Sequence, residues 1–135
     1  MFDESSFHVF ATRYTHAWCS QDAASVASFF APNGSLKIND GAPSVGRAAI
    51  TEAAQGFMTA FPDLLVAMDQ LLVQDPHHAT YHWTLTGHNT GPNGTGSYVK
   101  VSGHEQWELS ADNLILTSLG HFDADDYTRQ LQGLA

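Results

Sequence analysis

The chain has one cysteine, five basic side chains, and no apolar run near the ~18 residues of a membrane-spanning helix. A lone Cys19 cannot close an intramolecular disulfide. Its neighbours Trp18 and Ser20 do not resemble a metal or redox motif, so a disulfide scaffold is excluded. Five Lys and Arg stand against fourteen Asp and Glu, a formal charge of -9. That leaves no basic footprint for a phosphate backbone or an anionic lipid surface, so neither nucleic acid nor membrane is an expected partner. The opening MFDESSFHVF carries acid where a signal peptide carries base, and a soluble, cytoplasmic protein is expected. No P-loop, nucleophile elbow or dinucleotide fingerprint occurs. The glycine-rich stretch 91–96 has neither the Lys nor the following helix that phosphate binding uses.

What is present suits one domain spanning 1–135: 43% of residues are apolar and 11% aromatic, with no repeat, charge block or linker. Phe7, Phe10, Ala11, Tyr14, Ala17 and Trp18 recur at helical spacing, predicting a helix capped by Ser5 or Ser6 and ending near residue 19. A second helix, capped by Ser20 or Asp22, is expected over residues 23–30, with Pro32-Asn33-Gly34 as its stop. A short strand over 35–39 and a loop lead to a third helix over 47–61, with Gly46 at its start. Four strands are then predicted over 64–73, 79–88, 98–109 and 114–122, with Asn93-Gly94 as a hairpin signal. Helices first and sequential strands later imply an α+β fold: three N-terminal helices packed on a strongly curved, mainly antiparallel sheet.

Strand parity selects the chemistry. Tyr81 and Trp83 share a face with Leu85, and Glu105 shares one with Val101, Gly103 and Trp107. Glu105 is therefore a carboxylate on an apolar face, which marks either a cavity or an edge position that reaches water. Tyr14, Trp18, Phe57, Phe61, Trp83 and Trp107 all turn inward by periodicity, as walls of an apolar-ligand pocket or as plain core. His121 and Asp123 share a face if the last strand continues, an arrangement in which a carboxylate orients an imidazole. The alternative is that Asp123 caps a following helix. None of the eight histidines has metal-site spacing: His77-His78 reads as a surface turn, and His8 and His16 are two helical turns apart. His82 and His104 fall on one polar face of neighbouring strands. The last strand is mixed on both faces, and with the Thr-rich face of its neighbour this suggests a homodimer formed sheet to sheet.

Several words of the sequence carry a family resemblance: WCSQD at 18–22, Gly46-Arg47, Phe61-Pro62-Asp63-Leu64, WTLTGHNTG at 83–91, Ser102-Gly103 and YTRQL at 127–131. Together they resemble the SnoaL-like polyketide cyclase family of the nuclear transport factor 2-like superfamily. The resemblance implies a cone-shaped α+β barrel, usually dimeric, that holds a small apolar or aromatic ligand with no metal or organic cofactor. It also implies cyclase, isomerase or lyase chemistry by acid and base, although fold alone does not carry function. In the polyketide cyclases an Asp on the last strand is the general base, and a gap-free count from 115 to 131 puts Gly120 at that place. The accompanying His falls near Gln106 or Trp107. Either Glu105, His121 or Asp123 supplies the base, with Tyr14 or His104 as hydrogen-bond donor, or the chain is a non-catalytic binding or accessory dimer.

Overall fold

A computed structural model describes residues 3–133. Helix α1 spans Glu4–Cys19 and buries Phe7, Ala11, Tyr14 and Trp18. Its N-cap is Asp3, whose carboxylate accepts from the Ser6 amide at 2.7 Å, two to three residues before the serines expected to cap it. Asp22 caps α2, Ala23–Ala27, through the Ala24 amide. This second helix is a single turn rather than the longer one expected, because Phe30 already lies in β1, Phe30–Ile38. The strand runs through Pro32-Asn33-Gly34, where the register slips against its partner. A bulge absorbs the turn residues that read as a stop.

A two-residue strand β2, Ser44–Val45, precedes α3, Arg47–Ala60, which buries Ile50, Ala54 and Met58. The remaining strands are β3, Leu65–Asp75; β4, His78–His88; β5, Tyr98–Leu109; and β6, Ile115–Phe122. The sheet order is β2-β1-β6-β5-β4-β3. All neighbours are antiparallel except β1 and β6, which run parallel. The sheet is therefore mixed and open, with β2 and β3 at its edges, rather than a closed barrel. The description of three N-terminal helices also needs correction: β1 and β2 come between α2 and α3, and a fourth helix α4, Ala124–Leu131, follows β6.

α4 begins at Asp123, whose carboxylate accepts from the Asp126 amide at 3.0 Å. Asp125 and Asp126 in its first turn and Arg129 in its last complement the helix dipole. It docks where β6 has ended: Gln130 accepts from the Lys100 amide at 2.7 Å and donates to the Lys100 carbonyl at 3.0 Å. The free edge of β5 is thereby satisfied by a side chain. Tyr127 of α4 points back to the core, with ring contacts at 6.3 Å to Phe61 and 5.5 Å to Phe122. The β4–β5 connection, 89–97, is longer than a two-residue hairpin. Asn93 sits at its tip with φ of 63°, while Asn89 organises it by donating to Ala60 O and accepting from Thr95 N.

Candidate functional site

The inward face of β5 carries Val101, Gly103, Glu105 and Trp107, as parity predicted. Glu105 keeps only 7% of its surface exposed. Three donors converge on a single one of its oxygens: Ser118 Oγ at 2.7 Å, Tyr14 OH at 2.9 Å and Trp107 Nε1 at 3.0 Å all donate to Oε1. These donors come from β6, α1 and β5. Oε2 has no hydrogen-bond partner and is not sealed off, since Trp83 Nε1 is the sole unpartnered buried side-chain nitrogen or oxygen among the described residues. Glu105 borders a cavity of about 60 Å³.

Burial pushes the Glu105 carboxyl above the ordinary carboxylate range, against the bonds from Ser118, Trp107 and Tyr14, which pull it down. The Tyr14 hydroxyl is pushed well up by burial and by the negative charge of Glu105, so Tyr14 stays protonated and donates. Its ring is held edge-on by Trp107 at 5.1 Å, Tyr81 at 5.5 Å and Phe29 at 5.7 Å. Tyr81 stacks on Trp107 at 4.8 Å. Thr15 spends its own proton on Ala11 O, so the Tyr81 hydroxyl donates to Thr15 and is not free for a ligand.

Aromatic rings dominate the cavity wall: Trp18 from α1, Phe57 from α3, Tyr81 and Trp83 from β4, Phe122 from β6 and Tyr127 from α4. Trp83 reaches over Gly103, its partner on β5, where an added Cβ would come within 2.6 Å of Trp83 Cζ2. Gly120 also borders the cavity, directly opposite Glu105 on the β5–β6 ladder.

Of the residues singled out from sequence, Glu105, Trp18, Phe57 and Trp83 line the cavity, and Tyr14 and Trp107 stand behind Glu105 as its donors. Phe61 is fully buried beside Tyr127 and does not line the cavity. β6 turns Ser118, Gly120 and Phe122 inward, so the His121 ring falls on the outer face, 5.0 Å from His104. His121 can border the cavity only through its main chain. His104 lies in the same outer row, 5.6 Å from His82, and its imidazole is held below the ordinary value by burial and by those two neighbours. Asp123 spends its carboxylate on the N-cap of α4, as the structural alternative had it. Ser118 and Tyr127 were not anticipated, and Tyr81 was placed on the inward face without being singled out as a site residue. Parity did place Ser118 with Gly120 and Phe122, but a mixed strand gives no sign of which face is inward. Among the described residues no three His, Cys, Asp or Glu side chains are grouped so as to hold a metal ion.

An open mixed sheet covered by helices in this order is the ketosteroid isomerase-like, nuclear transport factor 2-like α+β fold. The model of the SnoaL-like domain matches residues 11–117, and the chain belongs to that family. No curated protein matches the sequence significantly. Among solved structures, TsrD from Streptomyces laurentii is 19% identical with a TM-score of 0.85, each chain covered over 100% of its length. SalBIII, an epoxide hydrolase/cyclase-like enzyme with a role in pyran ring formation in the polyether salinomycin, is 19% identical with a TM-score of 0.79, covering 93% of this chain and 97% of its own. A ketosteroid isomerase-like protein from Catenulispora acidiphila, solved with trimethylamine, is 17% identical with a TM-score of 0.80, and 93% of each chain is covered. At these identities the likeness is one of fold.

Proposed function

We propose that the cavity binds a small, largely apolar or aromatic molecule and that Glu105 exchanges a proton with it through Oε2, in a reaction of the cyclase or isomerase type. The observation that supports this reading is the asymmetry of the carboxyl: three donors occupy Oε1, and Oε2, on a residue that lines the cavity, has no partner. A carboxylate so held is a fixed base. Its negative charge is stabilised at the remote oxygen while desolvation keeps its proton affinity high, the balance a general base near neutral pH requires. Once protonated at Oε2, the same group returns its proton to another atom of the bound molecule, as an isomerisation or ring closure needs. The aromatic walls exclude water and hold the molecule by its apolar surface.

The test is proton exchange in D₂O, followed by proton NMR on a panel of aryl and cyclic ketones. The wild-type protein is expected to accelerate loss of an α-proton signal for some member. Glu105→Gln is expected to slow it by about 10²- to 10⁴-fold, the usual worth of a positioned base. Ketones that bind without any exchange would instead favour a non-catalytic binder, the reading that Gly120 supports. We also propose that two copies associate through the outer sheet face, where Thr84 and Ser102 hydrogen-bond at 2.7 Å.

A further inference from the structure

Glu105 is a buried carboxyl without a counter-cation. The ion pairs among the described residues are His78–Asp75, His88–Asp63 and Arg129–Asp126, all at the surface, and none reaches the cavity. Buried charges in folded proteins are paired or neutralised, and the hydrogen bonds to Oε1 leave Oε2 without a partner. The cavity that Glu105 borders is walled by Trp18, Phe57, Tyr81, Trp83, Phe122 and Tyr127. Trp83 offers its ring rather than its N–H, because Nε1 is buried out of reach of solvent.

We infer that the ligand carries an alkylated ammonium group, seated among these rings with Glu105 Oε2 as its counter-charge. Aromatic faces attract a cation through their quadrupoles, most strongly when it is stripped of water, and alkyl substituents on nitrogen match the apolar wall. For binding alone a neutral aromatic ligand makes no use of the carboxyl, which would serve it only as the proton carrier of the proposed reaction. An ammonium ion makes use of both features, and the charge of -9 on the chain raises the local concentration of cations. A tertiary amine satisfies the same site: on entry its nitrogen lone pair takes the proton from Oε2, leaving carboxylate and ammonium in contact. The inference rests on the reading of the cavity as a ligand site and narrows what the ligand is; it does not require turnover.

Choline and 3,3-dimethylbutan-1-ol separate the two cases, since they share a shape and differ in having a positive nitrogen or a neutral carbon at the centre. Titrated into the full chain near neutral pH and read by calorimetry, choline is expected to bind about tenfold tighter or more. Glu105→Gln keeps an acceptor for Ser118, Tyr14 and Trp107 and puts a neutral amide where Oε2 was, so it should fold and lose the preference. In the wild-type protein choline affinity should rise with pH as Glu105 ionises, while that of the alcohol stays level. Of the other titratable residues around the cavity, Tyr14, Tyr81 and Tyr127 are held above the ordinary tyrosine value and remain neutral there, and His121 has its ring on the outer face beside His104. Equal affinity for the two probes overturns the inference and leaves the ligand site standing. A preference that survives in Glu105→Gln, or no choline binding at millimolar concentration, overturns it too, and the ketone experiment then decides separately whether the cavity binds anything.

Discussion

Gly120 stands opposite Glu105 in the β5–β6 ladder, and a Cβ added to it would lie 3.8 Å from Glu105 Cγ and 3.4 Å from Lys37 O. The place that the family resemblance assigns to the cyclase base thus has room for a small side chain in ordinary contact with another carboxyl residue. Both positions border the same cavity, so an acid placed at 120 would face the space that Glu105 already lines.

Gly120→Asp would set two carboxyls side by side. Each disfavours the charge of the other, so both should titrate above their unfolded values. A raised folded value means that the associated stability is present at low pH and lost as pH rises through it. Urea unfolding should therefore show this variant losing stability relative to wild type between mildly acid and mildly alkaline pH. Gly120→Ala, for which there is room, should show no such trend.

Glu105 itself follows the same sign. Its unfolded carboxyl titrates near 4.5 and its folded one higher, so its contribution is complete below that pH and declines as pH rises toward the folded value, by at most about 1.4 kcal/mol per pH unit. Glu105→Gln cannot titrate. The stability of the variant minus that of wild type should grow with pH across this window, and a flat difference would contradict the burial argument.

Tyr14→Phe removes one of the three donors to Oε1 while keeping the ring that packs on Trp107 and Tyr81. A cost of about 1–2 kcal/mol is expected from chemical denaturation. With one bond fewer to the ionised form, the carboxyl should titrate higher still, moving the acid limb of any pH–rate profile upward.

Gly103→Ala should be among the most damaging small substitutions. Its Cβ would meet His121 O at 2.3 Å and Trp83 Cζ2 at 2.6 Å, so the indole must leave its place over β5. Overpacking of this kind typically costs about 1–3 kcal/mol. Loss of near-ultraviolet dichroism with retained secondary structure would report the displaced tryptophan.

The proposed dimer predicts sedimentation at twice the 14.6 kDa of one chain at micromolar concentration. A monomer there would remove it, because interfaces of standard size, about 1,200 Å² or more, persist under such conditions. Acid should weaken it: His104, held below the ordinary imidazole value with His82 at 5.6 Å and His121 at 5.0 Å, gains a charge on the joining face as pH falls.

Period two along β4 and β5 was enough to put Tyr81, Trp83, Glu105 and Trp107 on one face, because a long strand between clear turns has only two faces and one of them is apolar. Helical spacing likewise fixed which sides of α1 and α3 are buried. Local pattern failed where a long-range partner decided the matter. Phe29 and Phe30 extend the helical stripe of α2, yet pairing with Ile115, far along the chain, draws Phe30 into β1. The mixed β6 offers two equivalent faces to a sequence reader. Only its register against β5, with Ser118 beside Trp107 and Gly120 beside Glu105, turns the even residues inward and leaves the His121 ring outside. Asp123 has the chemistry of a base and the position of a helix cap, and the amide of Asp126 claims it. That Glu105 shares an apolar face with Trp107 was legible from spacing, while its burial rather than an edge position was decided by the fold. That one of its oxygens is saturated and the other free depends on side chains brought from α1 and β6, separated from it in sequence and joined only by the folded sheet.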